Sequence, residues 1–197
     1  MALDPSYPIT TDRLRLRPLT HADADALLSY RSLPDVCRYL PFEPMSDATI
    51  SERLDGMWSH HTLGAEGDAL TLGIERASDG RLIGDVVLFF RSAEHSTGEI
   101  GYVLHPDAVG HGYVTEACTA VLDLVFDPDG GLALRRVTAL MDSLNTDSAR
   151  VVGRLGFRHE AHHVEAEWFK GAWGDLDIHA ILDREWHALR SWPARPS

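Results

Sequence analysis

Cysteine is scarce here: Cys37 and Cys118 are the only two in 197 residues. Far apart in the chain, they offer neither a disulfide framework nor a metal-ligand spacing, and a reducing cytoplasm is the expected compartment. No apolar run approaches the length needed to cross a membrane. The start, Met-Ala-Leu-Asp-Pro-Ser, lacks the basic and apolar regions of a secretory leader. Basic charge is in deficit as well, with 18 Lys and Arg against 30 Asp and Glu, a net charge of −12. That balance excludes nucleic acid gripped through its phosphates, and it favours solubility and a cationic partner. A polyanion can then bind only where local backbone amides and a few arginines make its site. Internal repeats, low-complexity tracts and linkers are also missing. Residues 1–197 therefore read as one domain, with a core from about 9 to 186.

What the chain does have is Leu104-His-Pro-Asp-Ala-Val-Gly-His-Gly-Tyr-Val-Thr-Glu-Ala117. An apolar run, Ile100 to Leu104, stops at His105-Pro106. Beyond the glycines, Tyr113, Ala117, Ala120, Val121, Leu124 and Val125 recur at helical spacing. The pattern is strand, glycine turn, helix. Gly110 and Gly112 admit backbone angles closed to other residues, so successive N–H groups can converge where a helix begins and its dipole favours negative charge. This is the pattern of a phosphate or pyrophosphate site.

Around it the periodicity predicts a strand at Thr11–Arg17, a helix capped by Thr20 and Asp23, and a second helix capped by Ser46 that runs through Ile50, Leu54 and Trp58. Strands follow at Ala69–Glu75 and Leu82–Phe90, joined at Ser78-Asp-Gly80, and at His95–Leu104. After the glycine turn and its helix come a loop at Asp127–Gly131, a strand at Arg136–Leu140 and a short helix from Thr146 to Leu155. A closing strand pair, Val164–Phe169 with Asp177–Leu182, leads to a last helical turn at Arg184–Leu189. The order predicts an α/β (α+β) fold, a mixed sheet of roughly six or seven strands flanked by helices rather than a regular βαβ repeat.

Several stretches in this order resemble the GNAT superfamily of N-acetyltransferases, and within it the RimJ/RimL-type branch. They are Thr11-Asp-Arg-Leu-Arg-Leu-Arg-Pro18, Gly98-Glu-Ile-Gly-Tyr102, Gly110-His-Gly-Tyr-Val-Thr-Glu-Ala117, Asn145-Thr-Asp-Ser148, Leu155-Gly-Phe157, Asp175 and Glu185-Trp186. The resemblance implies a mostly antiparallel GNAT-like sheet and acetyl-CoA as acyl donor, with no metal. It puts the pyrophosphate on the amides of Val109, Gly110, His111, Gly112 and Tyr113, with the Thr115 hydroxyl beside them. The pantetheine arm would pair with the backbone of Tyr102, Val103 and Leu104. In one departure, Asp107 stands where the family usually has Arg or Gln, and a carboxylate beside a pyrophosphate is unfavourable unless it points away.

The family reaction is direct attack of a primary amine on the thioester, which needs a base, oxyanion donors and an acid. Glu99, on the strand leading into the turn, is the base candidate, and His105 is a second. The resemblance implies that Asn145 contacts the cofactor arm, with capping of the next helix as its ordinary role. It likewise implies that Ser148 lies against the arm and protonates the departing sulfur, while an amide near Tyr102–Leu104 holds the oxyanion. Arg150 and Arg154 are candidates for the adenosine phosphates. Family precedent for the acceptor site nominates Phe42, Glu43, Trp58, His60, His61, Trp168 and Trp173. The acceptor is a protein N-terminus, a polyamine or another small amine, and a second copy of the chain, in a homodimer, is among the partners the reading allows.

Two other patterns compete. His159-Glu-Ala-His-His163 satisfies H-E-x-x-H, the signature of a zinc hydrolase, which needs both histidines one helical turn apart, about 6 Å. In a strand they would be roughly 13 Å apart, and the segment leads into an alternating stretch. Gly110-His-Gly-Tyr-Val-Thr115 also begins like a dinucleotide fingerprint but lacks its third glycine and its βαβ setting. Asp107 leaves a further alternative, a catalytically silent module that binds acetyl-CoA as a sensor.

Overall fold

The computed structural model describes residues 2–129 and 132–191; Gly130 and Gly131 of the expected Asp127–Gly131 loop lie outside the described residues. Eight strands form one mixed sheet in the order β1-β2-β3-β4-β5-β6-β8-β7. They are β1 (Ile9–Thr10), β2 (Leu14–Pro18), β3 (Ala69–Arg76), β4 (Leu82–Ser92), β5 (Thr97–Leu104), β6 (Arg136–Asp142), β7 (Arg158–Phe169) and β8 (Ala172–Leu182). The helices are α1 (Ala24–Arg31), α2 (Pro34–Cys37), α3 (Asp47–Asp55), α4 (Tyr113–Phe126), α5 (Thr146–Arg154) and α6 (Asp183–Ser191).

Local chemistry accounts for most of these elements. In β2, Leu14 and Leu16 are buried while Arg15 and Arg17 pair with Glu75 across the strand boundary, the alternation a half-covered strand requires. Thr20 and Asp23 close a capping box ahead of α1. Ser46 Oγ accepts from the Thr49 N–H at the start of α3. In α4, Val114, Ala117, Cys118, Val121, Leu122, Val125 and Phe126 are buried, one apolar stripe of a helix.

The sheet has a core on each face. Val86, Leu88 and Phe90 of β4 and Ile100 of β5 pack with α4. On the opposite face, Leu27 and Tyr30 of α1 and Ile50 and Leu54 of α3 pack with Trp58 and Val103. Alternation assigns Asp85, Val87 and Phe89 of β4 to this second face, with Glu99, Gly101 and Val103 opposite them in register on β5.

Four expectations are corrected. The sheet has eight strands because the two residues of β1 pair with β2, too short a run to show a period. Pro34–Cys37 forms a turn of helix where none is expected. The third large strand begins at Thr97 rather than His95, since Ser96 takes a positive φ of 49° in the preceding turn. Strand β7 begins at Arg158, well before Val164, because β8 pairs with it from Ala180 to Ala172.

Gly84 allows β4 and β5 to approach. A Cβ there would press into the Val103 carbonyl oxygen and lie 3.1 Å from Leu104 Cα. Gly84→Ala is expected to lower stability by about 1–3 kcal/mol, read as a lower urea midpoint at unchanged slope.

Candidate active site

The glycine turn forms where β5 ends. His105 Nδ1 accepts from the Asp107 N–H at 3.1 Å, opening a 3-10 turn over Pro106–Ala108. Gly110 and Gly112 follow with φ of +86° and +77°, and Gly112 is the N-cap of α4. An added Cβ at Gly110 would meet nothing within 4 Å, so that position needs glycine for its backbone angle rather than for space. The Val109 N–H is taken by the Pro106 carbonyl at 3.1 Å, so it is not free for the amide cradle that the sequence suggests. The N–H groups of Gly110, His111, Gly112 and Tyr113 have no acceptor among the described residues. They stand at the positive end of a 14-residue helix.

The turn is tied to the far edge of the sheet. Glu116, in the first turn of α4, accepts from the Thr11 hydroxyl at 2.5 Å, from the Arg13 N–H at 3.0 Å and from Arg13 Nε at 2.7 Å. Arg13 Nη1 also donates to the His111 carbonyl at 3.0 Å, and its guanidinium lies 4.8 Å over the Tyr113 ring. Thus Thr11-Asp-Arg13 and the glycine motif, about a hundred residues apart, are one structural unit. Burial pushes the Glu116 carboxyl up, but the bonds from Thr11 and Arg13 outweigh it and hold the group below its ordinary value.

Strands β5 and β6 run parallel and pair over only three positions, Thr97–Glu99 with Arg136–Thr138. Beyond Glu99 they part. A cavity of about 890 Å³ occupies the α4–α5 side of the gap, lined by Tyr102, Val103, Leu104, Val109–Thr115, Asn145, Ser148, Arg150 and Arg154. A smaller cavity of about 170 Å³ continues between the strands to the opposite face and shares Tyr102, Val103, Asn145 and Ser148 with the first. Glu99 lines this smaller cavity and also a third, of about 270 Å³, with Asp142, Glu167 and Asp175. Through their shared lining residues the three trace a path across the gap, with free amides at one end and Glu99, Asp142, Glu167 and Asp175, together with Arg91, at the other.

The expected groups converge along this path. Asn145 caps α5, its Oδ1 accepting from the Ser148 N–H at 3.2 Å, which leaves its amide nitrogen for another partner. The Tyr102 hydroxyl donates to the Ser148 carbonyl at 3.2 Å. Glu99 lies across the gap, its side chain 19% exposed and 2.9 Å from Arg91 Nε. The site also fits an elongated, phosphate-bearing acyl donor. Thr115 Oγ1 is buried without a hydrogen-bond partner among the described residues, and Arg154 has no ion-pair partner among them.

Other nominated residues stand apart. His105 lines none of these cavities; it is a turn residue stacked edge-on to Tyr30. The Asp107 carboxylate is 71% exposed, turned toward Arg81 at 3.6 Å and absent from the cavity wall. Arg150 lines the large cavity but is paired with Asp147 at 2.6 Å. Of the acceptor nominees, Phe42 lines the smaller cavity, whereas Trp58 is core. Glu43, His60 and His61 are exposed and line none of the three cavities. Trp168 and Trp173 stack edge-on to each other at the exposed tip of the β7–β8 hairpin. The His159–His163 segment lies within β7, with His159 opposite His179 and His163 opposite Leu176, so the helical zinc geometry is not formed. No metal-competent cluster occurs among the described residues. The sequence reading missed Tyr39 and Leu40, which line both larger and smaller cavities, and Arg31 and Asp85, which line the smaller one. Only the two prolines around them, Pro34 and Pro41, hinted at an irregular wall there.

A sheet parted beside a helix-capping glycine turn defines a class of CoA-dependent acyltransferase, and comparison with known proteins agrees. Residues 13–158 match the family described as acetyltransferase (GNAT) domain, and the chain belongs to that family of N-acetyltransferases. It is 31% identical over 176 residues to the uncharacterized N-acetyltransferase p20 of Bacillus licheniformis, covering 89% of this chain and 96% of that one. A GNAT-family acetyltransferase structure from Bacillus anthracis superposes with a TM-score of 0.77 at 26% identity, covering 94% of this chain and all of that one. The spermidine N-acetyltransferase of Vibrio cholerae, solved with CoA and spermine, shares the fold at 22% identity and a TM-score of 0.76, over 90% of this chain and 99% of that one.

The Glu116 carboxyl is depressed in the folded chain, so its stabilising share is present above the ordinary carboxylate value of 4.5 and fades as pH falls through and below it. Glu116→Gln is therefore expected to show a stability deficit that is constant from neutral pH down to about pH 5 and shrinks in more acid solution. Denaturant midpoints across pH measure this.

Proposed function

We propose that this chain transfers the acetyl group of acetyl-CoA to a primary amine that carries positive charge, in the manner of the RimJ/RimL-type branch. The observation that carries this reading is the path through the β5–β6 gap, with unpaired amides at one mouth and four carboxylates, Glu99, Asp142, Glu167 and Asp175, against the single cation Arg91 around the other. The diphosphate would rest on the N–H groups of Gly110, His111, Gly112 and Tyr113 with the Thr115 hydroxyl. The arm would run along Tyr102, Val103 and Leu104, whose β6-facing edge has no strand partner.

The acid-lined mouth suits a cationic acceptor, and the net charge of −12 draws it in. A polyamine, a protein N-terminus and other small amines share this chemistry. That the spermidine enzyme shares the fold supports the first. We place the reaction in the cytoplasm, consistent with two buried free cysteines, and treat residues 1–197 as one catalytic domain.

Each step then has a residue. The ammonium first gives one proton to solvent, and Glu99, through a water, takes a second as the freed lone pair on nitrogen forms the C–N bond. An N–H on the open edge of β5 beyond Glu99 meets the developing oxyanion. As the C–S bond breaks, Ser148 Oγ gives its proton to the sulfur and takes one back from solvent. Asn145 fixes Ser148 through its backbone N–H, and Tyr102 fixes it through its carbonyl. Asp107, the residue that suggested a silent binding module, is exposed and turned toward Arg81, which supports the catalytic reading over that alternative.

Ser148→Ala is expected to lower kcat by about tenfold to a hundredfold and Glu99→Gln by about a hundredfold, both with little change in acetyl-CoA KM. Steady-state thioester consumption against a panel of spermidine, spermine and peptides with Ser or Ala N-termini measures this. An unchanged kcat in Ser148→Ala removes that hydroxyl from proton transfer, and turnover of none of the amines by the unaltered enzyme overturns the reading.

A further inference from the structure

The second face of the sheet holds a charge pair that the proposed reaction does not use. Arg31 of α1 and Asp85 of β4 are buried, their side chains 5% and 1% exposed. Asp85 Oδ2 accepts from the Tyr30 hydroxyl at 2.6 Å and from Arg31 Nε at 3.1 Å, and Arg31 Nη2 is bonded to Oδ1. As a stabilising device, such a pair is a poor choice, since apolar residues of similar volume do as well or better. What the pair does supply is geometry.

Arg31 is bonded at both ends to one irregular segment. Its guanidinium lies 5.2 Å over the Phe42 ring, with Trp58 4.8 Å away. Its backbone carbonyl accepts from the Met45 N–H at 2.9 Å and from Cys37 Sγ at 3.2 Å. Between those anchors, Tyr39–Phe42 belongs to no helix or strand. Yet Tyr39 and Leu40 line the large and smaller cavities, Pro41 and Phe42 the smaller one, and Tyr39 and Pro41 also the acidic one. A wall common to the whole path is thus tethered at one residue, twice through the Arg31 main-chain carbonyl and once through its guanidinium on Phe42, and it is this last contact that Asp85 orients.

We propose that Arg31 and Asp85 are positioning residues for acceptor use: together they fix the Tyr39–Phe42 wall past which the amine reaches the thioester. The pair is also neutral as a unit, so it does not oppose a cation arriving in the cavity it lines. This inference rests on the acetyl-transfer reading above. Removing only the carboxylate exposes the arriving amine to an unbalanced guanidinium.

The decisive variant removes both charges and the hydroxyl they would leave unpaired, Arg31→Met and Asp85→Leu with Tyr30→Phe, which keeps the core filled and is expected to fold with a melting temperature close to that of the parent. Hydrogen exchange is expected to quicken at least about tenfold at the amides of residues 39–43 while α4 stays unchanged. Acceptor KM, for the best substrate of the amine panel, should rise about tenfold with CoA affinity within about twofold. Asp85→Asn alone should add a KM defect that shrinks as pH is raised and the amine loses its proton, which a purely structural role would not produce. Unchanged exchange over residues 39–43 together with an unchanged acceptor KM overturns the proposal. Loss of CoA binding in the parent enzyme would instead overturn the acetyl-transfer reading, and exchange over residues 39–43 still tests the wall.

Discussion

Everything functional in this molecule depends on a hydrogen-bonded ladder that stops early. β5 and β6 are joined over Thr97–Glu99 and Arg136–Thr138 and then diverge, while each keeps a full antiparallel partner on its other side, β4 for one and β8 for the other. A parallel pair needs a long crossover, and here that crossover is α4. The strands are therefore held apart without loosening the sheet. Backbone groups left at an open seam are expensive in a protein interior unless something pairs with them. In the proposed complex the donor's arm takes that place, so the interruption of the sheet is itself the binding site.

The second constraint is charge. A chain with net charge −12 must hold a diphosphate without a strongly basic surface, and dipoles solve this where side-chain charge would not. Four free amides at the mouth of α4 present partial positive charge where the proposed diphosphate would rest. Glu116, only a turn further on, is committed to Thr11 and Arg13, so its own charge is balanced. Asp107 is balanced in the same way by Arg81. At the far end of the path Glu99 is paired with Arg91 and Asp175 with His162, while Asp142 and Glu167 have no ion-pair partner among the described residues. In the proposed complex the two ends would therefore take ligands of opposite sign, the donor's diphosphate at one and the amine at the other.

How much of this was legible in the sequence depends on the range of the interaction involved. The glycine turn, the Asn145 cap and the capping box at Thr20 are decided within a few residues, and the structure places each where its local chemistry predicts. Strand β7 is decided by its neighbour: its burial shows no alternation, and only β8 sets where it begins. The Arg31–Asp85 pair joins residues 54 apart, with nothing in either neighbourhood to announce the other. The same holds for Trp58, whose aromatic character suits a binding cage as well as a core until the Arg31 guanidinium and Leu54 are seen around it. Tyr39 and Leu40 escaped notice because an irregular segment has no period to read.

The central claim is that uncharged main-chain donors at the start of α4 carry the donor's affinity through its diphosphate. The most direct test compares CoA with pantetheine, which has the same arm and thiol but no diphosphate, by titration calorimetry against the intact enzyme. The account predicts micromolar-range binding of CoA and at least about a hundredfold weaker binding of pantetheine, the equivalent of about 2.7 kcal/mol. Equal affinity for the two would contradict it.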